Sequence, residues 1–365
     1  MTELYVGLMS GTSLDGADGV LVDFSGYKLC VLASATKAFP DDFRAELLAL
    51  NSPSDNEMHR AALAANQLAS VYAEVVASLL EQTGLVARDI RAVGSHGQTV
   101  RHQPGLGYTT QLNNSALLVE CTGIDVVSDF RGRDVAAGGQ GAPLVPAFHQ
   151  SVFGTQDATT LVLNIGGISN LSVLPATGDV LGFDCGPGNA LMDAWCLQHT
   201  NQRFDDSGNW AASGKLIPAL LASLLSEPYL ALPPPKSTGR DLFSMAWLAE
   251  KLAAFKQERP VDVQNTLTEL TASACIMCVD SYLKDSNELI VCGGGAYNRY
   301  LLERLQAGLP SLKVVSSAAH NLPPLQVEAA AFAWLARQTV KRLPGNLPSV
   351  TGAAGLRILG AIYPA

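Results

Sequence analysis

The sequence predicts an α/β protein of two lobes. Three observations point to it. An apolar strand, a tight Gly/Ser/Thr/Asn turn and a second apolar strand occur near the start of each half of the chain. Later strands end in clusters of polar residues, the place where open α/β sheets put their ligands. Helical spacing alternates with these strands, and 365 residues are enough for two domains.

The first repeated unit is Leu4 to Met9, the turn Ser10-Gly11-Thr12-Ser13-Leu14-Asp15-Gly16, and Val20 to Phe24. The second is Thr160 to Ile165, Gly166-Gly167-Ile168-Ser169-Asn170, and Leu171 to Leu174. Such turns expose backbone N–H groups and hydroxyls with no bulky side chain in the way, so they can close around an anion. Either turn alone reads as an ordinary hairpin. The pair points to a phosphate held between two lobes.

In the first lobe, Ser54-Asp55-Asn56-Glu57 has the form of a capping box. Leu68, Val71, Tyr72, Val75, Val76, Leu79 and Leu80 then recur at helical spacing. A strand over 90–94 ends in Ser95-His96-Gly97-Gln98-Thr99, and one over 124–128 ends in Asp129-Phe130-Arg131. Residues 135–143 are small and glycine-rich, suited to a linker or to a loop that closes over a substrate. The domain boundary is expected near residue 150, giving lobes 1–150 and 151–365, with the last residues free to pack back on the first lobe. In the second lobe a glycine-rich turn holds Asp184 and a helix starts at Ala190. Thr266-Leu267-Thr268-Glu269 reads as the cap of a helix reaching about Leu283. A strand over 288–292 leads into Gly293-Gly294-Gly295.

The bulk properties narrow the function. Hydrophobic residues make up 48% and charged residues 16%, a globular balance. A net charge of −9 and a pI near 5.1 disfavour nucleic-acid and anionic-membrane partners. No basic leader is present and no apolar run approaches about 20 residues, so a cytoplasmic protein is expected. The seven dispersed cysteines fit reduced thiols, with Cys275 and Cys278 as core residues.

Gly293, Gly294 and Gly295 lie between a strand and a helix, where a flat ligand approaches the backbone closely and the helix N-terminus favours an anion. The spacing is neither a dinucleotide fingerprint nor a Walker A loop. Asp15 and Asp184 sit in glycine-rich turns. A carboxylate there is suited to hold Mg²⁺ beside phosphates or to act as a general base, and Asp184 reads equally well as a turn former. Ser95, His96, Gln98, Asp129, Arg131 and Asp134 crowd hydrogen-bonding groups together, as a sugar site requires.

These motifs together resemble the anhydro-N-acetylmuramic acid kinase family, of the superfamily that joins acetate and sugar kinases, heat-shock chaperones and actin. The resemblance rests on Gly7 through Gly16, Ser95 through Thr99, Asp129 through Pro143, Asn164 through Asn170, Gly182 through Asn189, Lys236 through Asp241 and Gly293 through Asn298. It implies two actin-like (ribonuclease H-like) lobes, with mixed sheets flanked by helices and a central ATP/sugar cleft. It implies ATP binding by Gly11, Thr12, Ser13, Leu14, Asp15, Gly16, Ala17 and Asp18, with Gly166, Gly167, Gly293, Gly294, Gly295 and Asn298, and Mg²⁺ at Asp15. Substrate binding falls to Ser95, His96, Gln98, Asp129, Arg131, Gln140, Asn170 and Glu328, and the catalytic base to Asp184. The implied reaction opens 1,6-anhydro-N-acetylmuramic acid and phosphorylates O6, in cell-wall recycling. The implied protein is a homodimer acting on a small anhydro-sugar. The family's usual threonine next to the base is Cys185 here. Two alternatives stay open: another sugar or carboxylate kinase of the superfamily, or an ATPase switch protein without a sugar substrate.

Overall fold

A computed structural model describes residues 3–11, 14–239 and 241–365. Two compact units divide the chain, one of residues up to 152 with 326–365, the other of 153–325. In the first, the strands are β1 (Leu4–Met9), β2 (Gly16–Asp23), β3 (Cys30–Ala38), β4 (Ala92–Ser95), β5 (Gln98–Gln103), β6 (Tyr108–Leu112) and β7 (Val126–Ser128). The main sheet runs β3-β2-β1-β4-β7, with the C-terminal strand Ala361–Tyr363 beyond β7. β1 to β3 form an antiparallel meander, while β4 and β7 continue parallel to β1.

The second unit repeats this plan. Its strands are β8 (Thr159–Ile165), β9 (Ile168–Leu174), β10 (Leu181–Pro187), β11 (Ser286–Cys292) and β12 (Lys313–Ser316). Their order is β10-β9-β8-β11-β12, again an antiparallel meander followed by two parallel strands. The repeat seen in sequence as two hairpins is therefore a repeat of five strands. A parallel strand needs a crossover, and helices supply it in both units.

In the first unit the crossover carries the helix Glu57–Thr83. Its Leu68, Tyr72, Val75 and Leu79 are buried in the core that includes β1 and β2 residues, each worth about 1.5–3 kcal/mol of burial. By length and mean hydropathy alone this helix would pass for a membrane span, where the sequence reading expected no such stretch. Its apolar stripe is instead that of a core helix, with nine buried residues. The expected capping box is absent as well: Asn56 is the N-cap in a left-handed conformation without a side-chain cap, and Glu57 pairs with Arg101 at 2.6 Å.

Helix Val327–Val340 covers the same sheet at β1 and β4. Gly7 on β1 permits this approach, because a Cβ there would collide with the backbone of Ala329 and Ala333. In the second unit, helix Pro260–Asp280 begins six residues before the Thr266 cap expected from sequence and ends at Asp280. Thr266 and Thr268 instead bond back to the carbonyls of Asp262 and Gln264 inside the helix.

Candidate active site

Asp184 lies on β10, a strand, where the sequence suggested a turn. The β9–β10 register shifts between Asp184 and Gly186, so Cys185 is the extra, bulged residue. A bulge bends the strand and redirects the side chains beside it. The chain at 236–238 then wraps over Asp184. The Asp184 amide donates to the Lys236 carbonyl at 3.1 Å, and the Asp184 carbonyl accepts from the Tyr229 hydroxyl at 2.9 Å. The Ser237 hydroxyl and the Thr238 amide both donate to Oδ2 at 3.0 Å. Oδ1 accepts from nothing among the described residues. Burial pushes the carboxyl above the ordinary aspartate range, opposed by the Thr238 amide and then the Ser237 hydroxyl. One oxygen is clamped and the other is open, the arrangement of a general base.

Cys185 points away from this carboxylate into the core. It is fully buried in the same core cluster as Cys275 and Cys278 of helix Pro260–Asp280, whose nearness pushes its thiol pKa up. The small residue next to Asp184 thus acts as packing.

The turn after β8 docks on the start of helix Ala190–Thr200. The Gly167 carbonyl accepts from the amides of Gly188 and Ala190, and the Gly166 carbonyl accepts from Asn189. Beside it, Gly293 follows β11 at φ 77°, and a Cβ there would meet Asn164 and the Ile165 carbonyl. The strand ends β8 and β11 therefore meet as bare backbone. Next to them is a hollow of about 470 Å³ lined by Asn189, Asp193, Phe204, Asp205, Tyr297 and Asn298, with Gly294 at its edge. Asn298 also caps helix Arg299–Gly308, its Oδ1 accepting from the Leu301 amide at 3.0 Å. Phe204 and Asp205 escaped the sequence reading, since nothing near them in the chain resembles a ligand motif. Tyr297 sits directly before the predicted Asn298.

The first unit holds the other predicted residues. Thr12 and Ser13 lie outside the described residues. Around them, the Leu14 amide donates to the Gly11 carbonyl at 3.2 Å. The Ser10 hydroxyl donates to the Gly97 carbonyl and meets Tyr72 Oη, both at 3.0 Å, tying this turn to the end of β4. Asp15 is exposed and 3.6 Å from Arg44. Gly16, Ala17 and Asp18 belong to β2, and Thr36 donates to Asp18 at 2.6 Å.

Ser95, His96, Gln98 and Arg131 come together. His96 Nε2 faces Arg131 Nε at 3.2 Å and Nη2 at 3.0 Å. Guanidinium only donates, so Nε2 is the acceptor and the proton sits on Nδ1. Burial, then the Arg131 charge, pushes the His96 pKa down to about 3, so the ring is neutral at any physiological pH. Arg131 also donates to the Gly141 carbonyl at 2.8 Å, and burial lowers its pKa to about 10 against the pull of Glu328 and Asp134. Asn113, not foreseen from the sequence, donates to Ser95 Oγ at 2.8 Å. Three buried polar atoms here have no partner among the described residues: His96 Nδ1, Gln98 Oε1 and Asn113 Oδ1. Each costs about 1–3 kcal/mol unpaired, and unpaired groups in one place mark a polar ligand. Asp129 is exposed and its Oδ1 accepts from the Gly132 amide at 3.1 Å. Gln140 is exposed, with its amide bonded to the Thr351 carbonyl at 2.7 Å.

The glycine-rich stretch 135–143 is tied down along its length. Asp134, fully buried, accepts from the Gly141 amide, Asn346 and Thr351 at 2.7–2.8 Å. The expectation of a linker or a freely closing loop is corrected on that ground.

Two helix-flanked sheets sharing one strand order, with bare glycine turns at their strand ends, define the actin-like class of α/β proteins. The activator of 2-hydroxyisocaproyl-CoA dehydratase from Clostridium difficile, solved with bound ADPNP, has this fold: TM-score 0.50 at 12% identity, covering 93% of this chain and 96% of that one. The model of the family described as anhydro-N-acetylmuramic acid kinase matches residues 3–365. Curated relatives of that name are 63% identical in Albidiferax ferrireducens, covering 100% of both chains. In Variovorax paradoxus the identity is 62%, covering 100% of this chain and 99% of the relative. The chain belongs to the anhydro-N-acetylmuramic acid kinase family. It is an enzyme, a kinase, with that family's function in cell-wall sugar recycling.

Proposed function

We propose that the enzyme opens 1,6-anhydro-N-acetylmuramic acid with water and phosphorylates O6 from ATP, with Asp184 as the base. Oδ1 of Asp184 takes a proton from water, whose oxygen attacks C1 of the sugar. The C1–O6 bond breaks and O6 attacks the γ-phosphorus, so the products are N-acetylmuramate 6-phosphate and ADP. An ordinary glycosidase needs a second carboxylic acid to protonate the departing oxygen. Here the phosphoryl group takes up that oxygen, and one carboxylate suffices. The observation that carries the reading is the division of labour on Asp184, with Oδ2 held by Ser237 and Thr238 while Oδ1 stays open.

The hollow beside Gly294 suits a nucleoside: Phe204 and Tyr297 offer faces to a base, and Asn189 and Asp205 offer polar groups to a ribose. With the Gly166 and Gly167 carbonyls engaged, the N–H face of their turn serves the phosphates, aided by the start of helix Ala190–Thr200. Gly11 through Asp18 serve the same ligand. Asp15, exposed and only loosely paired, is fit to hold Mg²⁺ alongside phosphate oxygens and waters. The ion when bound supplies neutralisation of phosphate charge. Ser95, His96, Gln98, Asp129, Arg131, Gln140, Asn170 and Glu328 bind the sugar, with Asn113 added. His96, neutral, offers its Nδ1–H to a hydroxyl or carbonyl. The enzyme works in the cytoplasm as a homodimer, which light scattering on the purified chain tests.

Incubation with MgATP and the anhydro-sugar in ¹⁸O-water is the decisive test. The label is expected in the C1 hydroxyl of the phosphorylated product. A phosphorylated product without label would overturn the hydrolytic route and leave simple transfer to a hydroxyl.

A further inference from the structure

The first unit also carries a hollow of about 830 Å³ that shares no lining residue with the candidate active site. Arg133, Arg342 and Arg357 line it, Leu356, Ile358 and Ile362 form an apolar wall, and among the described residues no Asp or Glu lines it. The chain has a net charge of −9, so three guanidiniums without a carboxylate run against its overall charge. None of the three forms an ion pair among the described residues. Arg357 donates to the Leu356 carbonyl beside it at 2.9 Å.

Three separate segments bring these cations together: helix Gly132–Ala136, the end of helix Val327–Val340, and the C-terminal stretch. The negative end of a helix attracts a cation, which accounts for Arg342 and for neither of the others. Arg342 itself stands at φ 58°. Its amide donates to the Thr339 carbonyl at 3.1 Å and the next amide, Leu343, donates to Gln338 at 2.8 Å. This is the Schellman closure, in which the left-handed position normally belongs to glycine. The backbone there favours glycine, so what the arginine contributes lies in its side chain.

We propose that this hollow binds a small organic phosphate. Guanidinium forks match phosphate oxygens in pairs. The volume falls in the range of small-molecule sites, and the apolar wall suits the carbon skeleton of the ligand. The hollow shares no lining residue with the candidate active site, so its test does not depend on the reaction proposed for Asp184.

Calorimetric titration of the full chain with inorganic phosphate, pyrophosphate and glucose 6-phosphate tests the proposal, alongside Arg342→Gly and the double variant Arg133→Ala/Arg357→Ala. Saturable binding of a probe with Kd of about 1 mM or tighter is expected. Arg342→Gly should weaken it roughly 5-fold or more while its Tm stays level or rises, and the double variant should abolish it. Glucose 6-phosphate binding tighter than phosphate identifies a phosphorylated metabolite, and equal binding identifies free phosphate. Binding that survives unchanged in both variants overturns the proposal, as does a wild-type chain that binds none of the three probes.

Discussion

Asp184 lies directly opposite Asn170 in the β9–β10 ladder, and Asn170 in turn opposes Asn164 on β8. Side chains directly across a ladder share a face. The register thus sets the proposed base in a row with two carboxamides, at the end of the strands where the glycine turns begin. The bulge at Cys185 ends that row and lets residues 236–238 reach Oδ2.

Replacing Asp184 with Asn removes the base and keeps the shape. Turnover should fall about 100- to 10,000-fold while ATP affinity holds. Steady-state kinetics with equilibrium nucleotide binding checks both halves, and a variant with near-normal kcat would remove Asp184 from the mechanism.

The pH dependence follows from the direction of the Asp184 shift. Burial raises its pKa, and a base must be ionised, so activity should fall on the acid side at a pH above the ordinary aspartate range. The Ser237 hydroxyl bonds to the ionised form and holds the pKa down. Ser237→Ala should therefore move the acid limb of kcat to higher pH. A limb that stays in place or moves down contradicts the assignment. For stability the sign is opposite: a raised carboxyl pKa favours the fold at low pH, and that contribution is lost as pH rises through the folded value.

Asn113 tests the sugar site where sequence had nothing to say. Its Oδ1 is buried without a partner among the described residues, and one hydrogen bond to a hydroxyl is worth about 0.5–1.5 kcal/mol. Asn113→Ala should lower kcat/KM for the sugar about 3- to 10-fold and leave the KM for ATP alone. Equal effects on both substrates would show a structural role instead.

Phe204 and Tyr297 line the hollow next to Gly294. Stacking of a base on an aromatic ring is worth about 1–3 kcal/mol, so either alanine variant should weaken ATP binding roughly 5- to 100-fold. Fluorescent-nucleotide titration measures it, and unchanged affinity in both would place the base elsewhere.

Asp134 holds the stretch 135–143 to the C-terminal segment through Gly141, Asn346 and Thr351. Asp134→Ala leaves the buried Gly141 amide without its acceptor, while Asn346 and Thr351 fall back on the Gly355 and Leu347 carbonyls at 3.3 Å, and it should cost about 1–3 kcal/mol. Denaturant unfolding reads this directly, with Asp134→Asn expected to lose less. An alanine variant as stable as the parent would show that the stretch does not need this anchor.

Much of the fold was legible in the sequence because its signals are local. The hairpins at β1–β2 and β8–β9 announce themselves by apolar runs broken at glycines, and the helix Glu57–Thr83 by its periodic stripe. Where a pattern misled, a neighbour in space outweighed it. Thr266-x-x-Glu269 has the form of a cap yet lies inside a helix, because Pro260 starts that helix earlier and the threonine hydroxyls find carbonyls one turn back. Asp184 sits amid turn-forming residues yet belongs to a strand, because β9 supplies the ladder that turns cannot.

By itself the sequence determined the family, the repeated hairpins and the residue types of the site, all written in contiguous motifs. Tertiary structure alone decided the clamp of Ser237 and Thr238 on Asp184, the pairing of Arg131 with His96, and the unmatched acceptor of Asn113. The reason is physical: a hydrogen bond and a burial shift depend on which atoms meet in space, and these partners stand 18 to 54 positions apart along the chain.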